Sequence, residues 1–373
     1  MSLSLNDLLR PDLRGGIAYG APQLDVPFPL NTNENSYAVP QHVVDAIVSS
    51  VAEVAPGLNR YPDREFIRLR EDLAAYLTRT SGVTVTAAQV WAGNGSNEVL
   101  LHILQAFGGT GRVALGFTPA YSMHPIITRT TGTRWVDGRR GVGGGGIFDL
   151  DPRSAVAQVR QHQPNIVFLC SPNNPTGTAL GLDTVEAIYD AAPRAIVVVD
   201  EAYAEFARAG TPSALTLLRG RDRLVVTRTM SKAFALAGGR LGYLAATAEL
   251  TQALRLVRLP YHLSAPAQAV ACAALEHVDD LLATVEILKA QRDHIVCELG
   301  EMGLDPVPSD ANFVLFGGLA DEQATWQALL DQGILVRDVG LAHYLRVTAG
   351  TTEETEAFLG AMRRLAPTHR QEQ

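Results

Sequence analysis

The sequence predicts an α/β protein: a mostly parallel central sheet with helices on both faces, plus a smaller α+β domain. Three observations support that class. Short apolar runs alternate with helical patterns through the middle of the chain. The runs are continuous rather than alternating, as in strands buried on both faces. Beyond about residue 260 the pattern changes to a long helical region, short strands and a final helix.

The expected strands of the large sheet are Val113–Leu115, Ile166–Cys170, Ala195–Val199, Leu224–Thr227 and Leu241–Ala245, with a helix at Asp183–Ala192. Asn94-Gly95-Ser96-Asn97-Glu98 ahead of VLLHILQAF reads as a helix start. The Asn and Ser can cap, and Glu98 adds favourable charge to the first turn. Further on, Ala265–Met302 is helical, followed by strands at Asn312–Phe316, Ile334–Arg337 and Tyr344–Thr348 and a helix near Glu353–Leu365. The glycine run Gly141–Gly146 reads as a surface loop, since it does not join a strand directly to a helix N-terminus. No GxGxxG follows a strand, which disfavours a dinucleotide fold.

The 373 residues make two domains the prior. Hydrophobic residues are 47% and charged residues 19%, against a usual charged share of about 25%. This excludes a disordered chain and favours a large core. No run of about 20 apolar residues exists, so no membrane span is expected. The opening MSLSLNDLLRPDLR lacks the apolar core of a secretory leader. Three scattered cysteines without a CxxC fit a reducing compartment, so a cytoplasmic location is expected. A net charge of −8 disfavours nucleic acid as a partner.

Among 31 basic residues only Lys232 and Lys289 are lysines. Guanidinium stays protonated and is a poor nucleophile, so a surviving lysine marks a place where amine chemistry is needed. Lys289, in VEILKAQRDH, reads as a solvated surface residue. Lys232 belongs to a constellation of four segments: Ser171-Pro172-Asn173-Asn174-Pro175-Thr176-Gly177, Val199-Asp200-Glu201-Ala202-Tyr203, Thr229-Met230-Ser231-Lys232 with Gly238-Gly239-Arg240, and Leu345-Arg346-Val347-Thr348. Three of them follow strands, and sites in α/β sheets form beyond strand carboxyl ends. The set matches what pyridoxal 5'-phosphate (PLP) needs. A lysine forms the imine and an acid keeps the pyridine nitrogen protonated. Donors face the ring oxygen, and a helix N-terminus with hydroxyls and an arginine holds the phosphate.

The chain resembles the fold-type I PLP aminotransferases, the aspartate aminotransferase-like fold, over nearly its whole length. More narrowly it looks like the histidinol-phosphate aminotransferases in their actinobacterial form. The resemblance rests on YGAPQL (19–24), LNTNEN (30–35), RYPDRE (60–65), GNGSNE (93–98), FTPAYSMHP (117–125), SPNNPTG, VDEAYAEF (199–206), TRTMSKAFALAGGRLGYL (227–244), RLPYHLS (258–264), PSDANFVLF (308–316), ILVRDVG (334–340) and YLRVTAG (344–350). It implies an arm over residues 1–35 that contributes to the small domain and the substrate site, a PLP-binding domain over 36–262 and a small domain over 263–373.

Roles follow from the resemblance residue by residue. Lys232 would bond the cofactor and shuttle the substrate proton. Asp200 would pair with the pyridine nitrogen, and Tyr203 and Asn173 would face the ring oxygen. Tyr121 would stack on the ring. Gly95, Ser96, Asn97, Thr229, Ser231 and Arg240 would cradle the phosphate. Tyr61 would reach the cofactor phosphate of a partner subunit, which makes the protein a homodimer. Arg346, Arg337 and Tyr19 would bind the substrate, with Asn173 beside them. No metal is expected. The implied reaction moves an amino group between L-glutamate and imidazole acetol phosphate, giving 2-oxoglutarate and L-histidinol phosphate. An aromatic amino-acid aminotransferase on the same scaffold is the alternative. Two positions depart from the family: Ser36 stands where proline commonly follows NEN, and His343 precedes the last strand. His124 reads as a satisfied polar residue on its helix.

Overall fold

The computed structural model describes residues 4–15, 18–141, 146–369 and 371. Most of the glycine run, residues 142–145, lies outside the described residues.

The arm contributes the short strand Phe28–Pro29 (β1). The large sheet is built from Val90–Gly93 (β2), Val113–Thr118 (β3), Arg134–Arg139 (β4), Ile166–Cys170 (β5), Ile196–Asp200 (β6), Leu224–Thr229 (β7) and Gly242–Ala245 (β8). Their order across the sheet is β2-β8-β7-β6-β5-β3-β4. β8 runs antiparallel to both neighbours; the other pairs are parallel. Every residue of β5, β6 and β7 is buried, as the continuous apolar runs require.

Two strands of this sheet were not among those expected. β4 (RWVDGR) alternates exposed and buried residues along an outer edge, so it carries too little apolar signal. β2 is four residues long and pairs only with β8.

The second sheet joins Asp305–Pro306 (β9), Phe313–Gly317 (β10), Arg337–Asp338 (β12) and Leu345–Thr348 (β13) in the antiparallel order β12-β13-β10-β9. Ile334–Leu335 (β11) instead pairs with β1 of the arm. The single strand expected at Ile334–Arg337 is therefore divided between two sheets. The helical region 265–302 is three helices, Ala265–Glu276, Val278–Leu282 and Val285–Glu301.

Buried apolar side chains form two clusters. The larger covers the central sheet and its helices and includes Leu263, Leu275, Leu281 and Leu288. The smaller begins with Leu30 and takes up Ile295 and Leu299 before the second sheet. The helices up to Leu288 pack on the large core, and the division between the two clusters falls inside Val285–Glu301. The same clusters place the end of the arm with the small unit.

Candidate active site

The C-terminal ends of β2, β3, β5, β6 and β7 open on one cavity. Its walls include Ser96, Asn97, Tyr121, Asn174, Asp200, Tyr203, Thr229, Ser231, Lys232 and Arg240. A second cavity adjoins it through Tyr121, Asn174, Tyr203 and Lys232 and is also lined by Tyr19, Arg337 and Arg346.

At one wall, the helix Ser96–Phe107 starts without a side-chain cap. The Asn and Ser of GNGSNE do not cap it as expected. Gly95 is the N-cap at φ +83, and Glu98 reaches back to accept from the Asn94 backbone at 2.6 Å. The first N–H groups are left for an anion, which the helix dipole also favours. β8 begins beside this point, since Gly242 pairs with both Gly93 and Thr229. A Cβ on Gly242 would stand 2.0 Å from the Ser96 nitrogen, so only glycine permits this approach. A Cβ on Gly95 would meet the Arg240 guanidinium at 2.5 Å. Arg240 also donates to Ser231 Oγ at 3.4 Å, and Thr229 Oγ1 donates to the same oxygen at 3.0 Å. Helix N–H groups, hydroxyls and one guanidinium thus converge.

Asp200 ends β6 and is 1% exposed. His124 Nε2 lies 3.0 Å from its Oδ2, and Thr227 Oγ1 donates to its Oδ1 at 3.0 Å. His124 is itself buried and stacked on Phe168. It is a satisfied histidine, but the partner that satisfies it is the buried acid of the cavity wall. Neighbouring elements place it: His124 lies in the first turn of the helix Met123–Thr130 that follows Tyr121.

Lys232 follows β7 and its Nζ donates to the Thr32 carbonyl at 2.9 Å. Burial, with Arg346 and Arg240 nearby, pushes its pKa down to about 8. Tyr203 accepts from Asn33 Nδ2 at 2.9 Å, and burial raises its phenol pKa. The arm residues 31–33 therefore touch Arg346, Lys232 and Tyr203 in turn. Two of these contacts use backbone carbonyls, which no side-chain motif reveals; the polar run LNTNEN was the available signal.

Arg346 is 6% exposed. It donates to Asn174 Oδ1 at 2.6 Å and to the Asn31 carbonyl at 2.7 Å, while its Nε is buried without a partner. Burial and Arg337 lower its pKa to about 10. No carboxylate pairs with it or with Arg337 among the described residues. Asp338 accepts instead from Gln323 and Gly340. The Arg337 guanidinium lies 6.0 Å from the Tyr19 ring centroid. A buried guanidinium without an acid is an anion site in waiting.

Two expected placements change or stand apart, and the two positions that depart from the family stay clear of the cavities. Asn173 lines neither cavity: its amide donates to the Pro119 carbonyl at 3.1 Å and to Thr176 Oγ1 at 2.8 Å. Asn174, next in sequence, borders both cavities, and two adjacent asparagines could not be told apart by sequence. Tyr61 is 81% exposed, stacked on Tyr261 at 4.4 Å, and outside the walls of its own chain's cavity. His343 turns away from the site, with Nδ1 2.8 Å from the Leu319 carbonyl, and Ser36 lines neither cavity.

The family model for aminotransferase class I and II matches residues 26–362. A histidinol-phosphate aminotransferase of Paenarthrobacter aurescens is 62% identical over 96% of this chain and 94% of its own. One from Thermobifida fusca is 59% identical over 96% of each. The solved histidinol-phosphate aminotransferase of Sinorhizobium meliloti, in complex with pyridoxal-5'-phosphate, has a TM-score of 0.82 at 23% identity, over 96% of this chain and 98% of that one, and is similar in fold.

Class I and II aminotransferases depend on PLP. The residues present fit it on this structure's own terms. The uncapped helix start and Gly95–Gly242 cradle suit a phosphate. Asp200 is held by two partners and is, among the described residues, the one acid in the cavity wall. A buried amine faces the same space. The chain belongs to the class I and II aminotransferases and, among them, to the histidinol-phosphate aminotransferase family.

Proposed function

We propose that this chain catalyses transfer of an amino group between L-glutamate and imidazole acetol phosphate, giving 2-oxoglutarate and L-histidinol phosphate in histidine biosynthesis. PLP is the cofactor. One observation carries the substrate reading: Arg346 and Arg337, unpaired with any acid among the described residues, face the cavity next to Lys232 beside Tyr19. Two guanidiniums and a phenol suit a phosphate dianion better than a single carboxylate. The 59–62% identical relatives support the same substrate, and the aromatic amino-acid alternative is not favoured.

When bound, the cofactor would supply an electron sink for the pair left at the substrate carbon. The chain's own residues do the rest. Asp200, fixed by His124 and Thr227, holds a proton on the ring nitrogen. Tyr203, whose oxygen already accepts from Asn33, has its own proton free to donate to the ring oxygen, and Asn174 takes the place expected of Asn173. Ser96, Asn97, Thr229, Ser231 and Arg240 hold the phosphate. Tyr121 borders both cavities and would cover the ring. Lys232 Nζ carries the proton on and off the amine-bearing carbon, and its pKa of about 8 suits a base near neutral pH. Arg346 binds the carboxylate of glutamate and the phosphate of the other substrate in turn.

The working unit is a homodimer in which the exposed Tyr61 completes the partner's phosphate cradle. No helix among the described residues is long and apolar enough to cross a membrane, and a cytoplasmic location goes with the biosynthetic role. Arg337→Ala tests the substrate reading. kcat/KM for L-histidinol phosphate falls about 10–100-fold, as expected for a lost charge-assisted contact of about 1.5–3 kcal/mol. Activity on L-phenylalanine changes little. Equal losses on both would assign Arg337 a structural role.

A further inference from the structure

Away from the cavity, two imidazoles and a carboxylate meet on the surface. His42 lies in the first turn of the helix Gln41–Val54. His277 and Asp280 stand at the junction of Ala265–Glu276 and Val278–Leu282. His42 Nε2 is 3.1 Å from Asp280 Oδ2, and His277 Nδ1 is 3.5 Å from the same oxygen. One ligand atom from each of the three lies within 4.8 Å of the others. A tetrahedral ion with bonds of about 2.1 Å needs ligand separations of about 3.4 Å. Two of the three edges are already close to that value.

The ligands are held by rigid elements. The His277 carbonyl accepts from Leu281 N at 3.1 Å, and its N–H donates to the Ala274 carbonyl at 3.2 Å. The site also occupies a mechanical crossroads. The chain passes from the small unit to the large one between Leu30 and the helix Gln41–Val54, and returns through the helices 265–301. Asn35 Nδ2 already bridges the two passages, donating to Thr284 Oγ1 at 3.0 Å, and it also donates to the Ala233 carbonyl beside Lys232 at 3.4 Å.

We propose that His42, His277 and Asp280 bind a divalent transition-metal ion of the zinc type, which ties the helix Gln41–Val54 to the junction of Ala265–Glu276 and Val278–Leu282. Two imidazoles and one carboxylate are ligands that zinc and nickel accept and that magnesium and calcium do not prefer. Water completes the shell, because all three groups are at least partly exposed. The ion would have no part in the chemistry at Lys232.

The test is calorimetric titration of the cofactor-loaded protein with Zn2+ in a buffer that does not bind metal. The parent carries Cys297→Ser, because that exposed thiol could take up zinc itself. The expected result is one Zn2+ per chain, weakened at least about tenfold by His42→Ala and by Asp280→Asn. Zn2+ should also raise the thermal midpoint of the parent and leave that of His42→Ala unchanged. These surface substitutions leave the buried clusters intact. No uptake at about 100 µM Zn2+, a binding energy of only about 5.5 kcal/mol, would overturn the proposal. So would uptake that either substitution weakens by less than tenfold.

Discussion

The Lys232 amine is buried and has Arg346 and Arg240 for neighbours, so its charged form is disfavoured twice over. Its pKa falls to about 8, which leaves about a tenth of it neutral at pH 7. Only the neutral amine attacks a carbonyl. Capture of PLP by cofactor-free protein should therefore speed up about tenfold from pH 6 to pH 7 and level off above pH 8. Stopped-flow absorbance would show this, and a flat profile from pH 6 to 9 would place the pKa elsewhere. At this scale much of the site was legible. Lysine, aspartate and tyrosine at strand ends do chemistry that other residue types cannot supply, so Lys232, Asp200 and Tyr203 stood out. Asn33 and His124 did not. Each acts by orienting another residue, and its partner is 170 or 76 positions away.

Elements must be held in register for those side chains to converge. Arg228 on β7 donates to Glu201 beyond β6 at 2.8 Å and to Glu205 at 3.1 Å, with all three side chains buried. Tyr76 of the helix Ile67–Ser81 donates to Glu205 at 3.0 Å. This network fixes the loop that follows Asp200. Arg228→Met would leave two buried carboxylates without their cation, and the protein should lose about 3–5 kcal/mol in urea unfolding. A loss below about 1 kcal/mol, the range of an exposed ion pair, would contradict that role. The strands carrying these residues were legible because burial on both faces demands unbroken apolar sequence. The edge strand β4 and the two-residue strands β1 and β9 escaped notice, since pairing rather than hydrophobicity defines them.

At the scale of the molecule, the sequence near residue 263 does not mark where one core gives way to the other. A helix has no compositional break where its packing partner changes, and Val285–Glu301 passes from one core to the other midway. The dimer is the larger expectation at this scale. Sedimentation should give twice 40.0 kDa. Tyr61→Phe should raise the PLP concentration for half-loading by about 10–100-fold, the worth of one hydrogen bond to a charged group. A monomer that retains PLP as tightly would remove Tyr61 from the site. The most direct measurement is absorbance of the PLP-loaded protein titrated with L-histidinol phosphate, then with 2-oxoglutarate, beside a parallel titration with L-phenylalanine. Loss of the visible band at low L-histidinol phosphate, restored by 2-oxoglutarate, is the predicted result. Bleaching by L-phenylalanine at equal or lower concentration would contradict the phosphate substrate, while leaving Lys232, Asp200 and Tyr203 in their roles.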